Sequence, residues 1–90
     1  MPNRHNLPAQ GAIKTELLRL IVVRARHEIT PSVAYEELAQ SFHLTAEQMD
    51  RTYATGENVW KAFVRAAKHA LMLSGDIIAP QRGKWMLTRE

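Results

Sequence analysis

The sequence predicts an α+β fold, mainly helical, with a helix-turn-helix followed by a C-terminal two-stranded β-hairpin. Three observations carry this expectation. Residues from about 57 to 74 repeat their apolar side chains at the helical period. Two short β-prone runs, Ile77-Ile78-Ala79 and Lys84-Trp85-Met86-Leu87-Thr88, flank the turn-forming Pro80-Gln81-Arg82-Gly83. Proline, threonine and glycine divide the preceding chain into shorter helical segments.

The elements follow in order. Residues 1–7 read as a flexible N-terminal arm, and residues 8–90 as one domain. Pro8 suits the first turn of a helix expected to reach about Arg26, with Ile13, Leu17, Leu18, Leu20, Ile21 and Val22 as its apolar stripe. Ile29 suits a short strand or bridge. Thr30-Pro31 supplies a cap and a first-turn proline for a second helix, about 31–42, whose inner face holds Val33, Ala34, Leu38, Ala39 and Phe42. Thr45 and Gln48 have capping-box spacing, which predicts a short helix over about 46–52. In the fourth helix Val59, Trp60, Phe63, Val64, Ala67, Ala70 and Leu71 fall within an arc of about 140°. Lys61, Arg65, Lys68 and Met72 cluster outside that arc. Gly75 fits the left-handed residue that ends the helix. This order is that of a winged helix, with the hairpin as the wing.

Composition narrows the function. The 90 residues hold 12 Lys and Arg against 9 Asp and Glu, a net charge of +3 that is compatible with a polyanionic partner. Cysteine is absent, which removes disulfides and thiolate metal sites and fits a cytoplasmic protein. No apolar run is long enough for a membrane helix, and the N-terminus lacks a signal-peptide core. The chain stops soon after its last strand, as a piece of a longer protein would.

Trp60, Val64, Ala67, Leu71, Gly75, Ile77-Ile78, Arg82-Gly83-Lys84-Trp85 and Leu87-Thr88 form a spaced pattern. It resembles the N-terminal winged-helix domain of Mrr-type, modification-dependent restriction endonucleases, whose pattern ends in R-G-x-W-x-[LI]-T. The likeness runs from about residue 7 to residue 90. Asp76 departs from it, standing where the family tends to have an apolar or small residue. The resemblance implies a bacterial DNA-binding module of a restriction system, with a nuclease domain elsewhere in the parent chain and methylated DNA as a target.

The residues suggest how such a module reads duplex DNA. A major groove about 12 Å wide accepts one helix, and the first turns of the recognition helix reach base edges. Asn58, Lys61, Ala62 and Arg65 lie on those turns: Lys61 or Arg65 suits guanine, Asn58 adenine, and Ala62 a methyl group. Lys68, farther along, suits phosphate. In the wing Gln81, Arg82 and Lys84 suit the adjacent backbone, and Arg82 also the minor groove. About five phosphate contacts would give a log–log salt slope of roughly −4 to −5. Trp60 and Tyr53 are candidate methyl-recognition aromatics, although a Trp in a helical stripe is more often core.

Less specific readings stand beside these. A basic stripe is often only a solvated helix face, and charges near a turn often guard an edge strand. His5, His27, His43 and His69 have no metal-ligand spacing, and the carboxylates do not converge as a nuclease requires. No metal, cofactor or catalytic residue is therefore expected in this domain. Two alternatives stay open: a winged-helix protein-interaction or dimerisation module, for which Ala62, Ala66, Met72 and Leu73 supply a face, and a DNA-binding fragment of a transcription regulator. A homodimer is compatible with each.

Overall fold

The computed structural model of the chain describes residues 7–88. The element order is α1 (Gln10–Val22), β1 (Glu28–Ile29), α2 (Pro31–Ser41), α3 (Ala46–Asp50), α4 (Val59–Leu73), β2 (Ile77–Gln81) and β3 (Lys84–Leu87). About half of the chain is helical, and the strands form one antiparallel sheet in the order β1-β3-β2. The fold is α+β. The expected arm over residues 1–7 lies outside the described residues except for Leu7, which is buried against the core.

Helix α1 buries Ile13, Leu17, Leu20 and Ile21 and stops four residues before the expected Arg26. Its apolar stripe has run out by then. Val22 and Val23 are exposed, and Arg24-Ala25-Arg26-His27 has nothing to bury. The backbone turns instead through Arg24 N–H to Ile21 O and His27 N–H to Arg24 O. His27 adopts a positive φ of 54° and leads into β1.

The caps of the next two helices follow from their residues. Thr30 Oγ1 accepts from Val33 N–H at 3.4 Å, with Pro31 in the first turn. Thr45 and Gln48 form a complete capping box, with bonds of 3.1 and 2.9 Å. Helix α4 is the central element. It buries Val59, Trp60, Val64, Ala67 and Leu71, which lie against α1, α2, α3 and β2. Gly75, at φ 86°, ends it as expected.

The sheet has three strands: beside the expected two-stranded hairpin, the short strand or bridge expected at Ile29 is a strand. Ile29 pairs with Trp85 and Glu28 with Met86, so β1 becomes an edge strand of the sheet. A two-residue strand is too short to show an alternating pattern. On the other side Ile77 pairs with Leu87, Ile78 with Met86 and Gln81 with Lys84, with an irregularity between Ile78 and Gln81. Pro80 lies there and has no N–H to give to a ladder, which an edge strand tolerates. The strand nevertheless continues to Gln81, so only Arg82 and Gly83 remain as the turn. Gly83 takes φ 84°, a value strained for any residue with a side chain. No helix among the described residues is long and apolar enough to cross a membrane.

Candidate nucleic-acid interface

Lys61, Arg65 and Lys68 are spaced i, i+4, i+7 and so form one stripe along α4, on the side away from its buried residues. Each is held by a neighbour. Lys61 Nζ stands 5.6 Å from the centre of the Tyr35 ring on α2. Lys68 Nζ stands 5.7 Å from the Trp85 ring on β3. Arg65 pairs with Glu57. Hydrogen bonding to the Tyr35 side chain, and then the Glu57 carboxylate, raise the Arg65 pKa above its usual value, which leaves the guanidinium charged at all working pH. Tyr35 and Trp85 meet edge to face, with centroids 6.2 Å apart.

The hairpin comes to the same side. One open concavity is lined by Arg65 and Lys68 from α4, Gln81 at the end of β2, Arg82 from the β2–β3 turn, and Tyr35 and Trp85. No carboxylate lines it. Ala62 is half-buried on the flank of α4, beside the exposed Ala66.

Three other candidates are placed differently. Asn58 is the N-cap of α4: its Oδ1 accepts from Lys61 N–H at 2.9 Å, and its Nδ2 donates to Met49 O at 2.7 Å. Both polar ends are thus used within the fold, and adenine would have to compete with them. Lys84 turns toward β1, where its Nζ lies 3.1 Å from Glu28 Oε1, and it lines a separate hollow with Arg24. Trp60 is 1% exposed and its indole N–H donates to Tyr35 O at 2.9 Å, so it is core and offers no face to a modified base. Tyr53 is 37% exposed in the turn before α4. That turn is tied by Tyr53 N–H to Glu57 O and by Gly56 N–H to Tyr53 O, each 2.9 Å.

Two residues of this surface were not singled out in the sequence. Tyr35 stands one position from the inner face of α2, where an aromatic off the apolar stripe was the available signal. Glu57 immediately precedes the cap of α4, and its pairing with Arg65 across eight residues has no helical spacing to betray it. Among the described residues no three His, Asp or Glu side chains group closely enough to hold a metal ion. His5 lies outside those residues.

The family comparison covers nearly all of the chain. The family described as the Mrr N-terminal domain matches residues 13–90, from the first buried residue of α1 past the end of β3. No curated protein matches, and no solved structure matches. With the match covering most of its length, the chain belongs to the Mrr N-terminal domain family, whose domains are parts of restriction systems.

Proposed function

We propose that this domain is a winged helix-turn-helix that binds double-stranded DNA as the target-recognition part of a restriction system. Helix α4 enters the major groove and the β2–β3 turn lies on the neighbouring backbone. The observation that carries this reading is the shared concavity without a lining carboxylate: Arg65 and Lys68 of the α4 stripe border it together with Arg82 of the turn. The order of helices and strands, with β3 between β1 and β2, supports the winged-helix assignment.

Within this reading Lys61 and Arg65 reach base edges, and Ala62 is the apolar neighbour for a base methyl group. Lys68, Gln81 and Arg82 meet the backbone. Asn58, Trp60 and Lys84 serve the fold, and Tyr53 is the remaining aromatic for a modified base. Cleavage belongs to a nuclease domain of the parent protein in the cytoplasm of a bacterium, and this domain supplies the address.

The test is binding to duplexes that differ only in carrying methylated adenine, methylated cytosine or no modification, each at several salt concentrations. Salt-dependent binding is expected, with a preference for one methylated duplex. Lys61→Ala and Arg65→Ala should weaken it, and Arg65→Ala should also relax base preference by about 1–3 kcal/mol if it reads guanine. Binding unchanged by both substitutions would remove α4 from the interface.

A further inference from the structure

The geometry points to a single-phosphate clamp in the concavity between α4 and the hairpin, in which Lys68 and Arg82 hold one phosphodiester group of the DNA backbone. This inference rests on the DNA-binding reading and adds to it a specific ligand group and a division of labour.

The charge of the surface is unevenly balanced. Four cations elsewhere are paired with carboxylates: Arg19 with Glu16, Arg24 with Glu37, Arg51 with Glu47 and Lys84 with Glu28. Among the described residues Lys68 and Arg82 have no carboxylate partner, and both line the concavity that lacks acids. Arg65 stands on the same wall, already engaged by Glu57. Two cations without carboxylate partners that border one concavity suit one compact dianionic or monoanionic oxygen cluster.

The walls narrow the ligand further. Pro31, the first residue of the 11-residue α2, borders the concavity, so the positive end of that helix adds to the cationic potential there. Tyr35, Ala79 and Trp85 supply apolar surface beside the charges. A sugar–phosphate unit presents that combination, an anionic phosphate next to an apolar deoxyribose. Lys68 is already positioned by the Trp85 ring, and Arg82 by a two-residue turn whose Gly83 fixes the chain reversal. The clamp reads no base. It fixes the register in which Lys61 and Arg65 meet base edges.

Sharing has a measurable consequence. Two cations on separate phosphates would each contribute to the salt slope. Two cations on one phosphate contribute about one between them. In the full chain, Lys68→Gln with Arg82→Gln should therefore lower the slope of log affinity against log salt by about one. A loss of about two, or none, would overturn the clamp. Duplexes carrying one neutral methylphosphonate, moved step by step along the site, give the second readout. One position should weaken the unsubstituted protein by about tenfold and leave the double variant unaffected. Equal effects on both proteins at every position would overturn the clamp while leaving duplex binding intact. Lys68→Arg should retain the unsubstituted behaviour, and thermal melting checks that each variant is folded. Titration with inorganic phosphate separates the two levels of the proposal. It should shift the Trp85 indole resonance in the unsubstituted protein and not in the double variant, even if no duplex binds, and a shift equal in both would sink the clamp.

Discussion

At the scale of single residues, two helix ends show how the backbone sets the cost of a side chain. Helices α2 and α4 finish in the same way. After α2, His43 N–H bonds Gln40 O and Leu44 N–H bonds Ala39 O, and after α4, Gly75 N–H bonds Met72 O and Asp76 N–H bonds Leu71 O. Both are Schellman closures, which need one residue at positive φ. Gly75 takes φ 86° freely, whereas His43 takes φ 55° against the preference of an L-residue. His43→Gly should therefore stabilise the domain by about 0.5–1 kcal/mol, after allowing for the looser unfolded chain. Gly75→Ala should destabilise it by about 1 kcal/mol, although a Cβ there meets nothing within 4 Å. Urea denaturation of both variants checks the pair, and equal midpoints would mean that the closures tolerate any residue. Gly75 was legible in the sequence because glycine advertises its role. His43 was legible as part of the His43-Leu44 break after α2 but not as its positive-φ residue, because histidine carries no such signature.

At the scale of elements, the legible features were those with a local cause. The Thr45–Gln48 capping box, the Thr30-Pro31 start and the buried face of α4 needed only their own neighbours. The end of α1 was placed too late, and whether Ile29 would form a strand or only a bridge depended on what lies across the fold. Asn58 shows the same division at the site. Its position suggested a base reader, but as the cap of α4 it also ties that helix to Met49 of α3. Asn58→Ala should cost about 1–2 kcal/mol in urea denaturation and leave the choice among duplex sequences unchanged. A relaxed adenine preference without loss of stability would return Asn58 to the reading surface. The α1–α2 contact makes a second prediction. Glu16 accepts from Arg19 on its own helix and from Ser41 Oγ of α2 at 2.8 Å. The Arg19 hydrogen bond first, with help from Ser41, lowers the Glu16 pKa below the usual value of about 4.5. A carboxylate depressed in this way stabilises the fold above its unfolded pKa, and the contribution fades as pH falls through the folded value. Glu16→Gln should thus be less stable than the unsubstituted protein at neutral pH, and the difference should shrink as pH falls through the lowered folded-state value. A difference equal at both ends would show that the charge of Glu16 contributes nothing.

At the scale of the molecule, the sign of the net charge matters less than where it is left uncompensated. Counting basic residues near α4 and the hairpin led to about five phosphate contacts, because a sequence does not say which cations are already partnered. Lys84 pairs with Glu28 and lines a separate hollow, so on the proposed reading it is not a phosphate contact. On that reading Lys61, Arg65 and the Lys68–Arg82 pair are the cations that meet a duplex. If each of these three sites displaces one counterion's worth of charge, the salt slope is about −3 instead of −4 to −5. Lys84→Gln then leaves the slope unchanged, and Lys61→Gln lowers its magnitude by about one. A slope near −5 that falls on substitution of Lys84 would mean that the Glu28 pair opens when DNA binds, bringing the β1 edge of the sheet into the interface. The two outcomes describe different docked geometries. In the first the duplex touches only α4 and the turn, whereas in the second it wraps onto the outer strand as well. Measuring affinity across salt for the unsubstituted chain and these two variants distinguishes them without a structure of the complex.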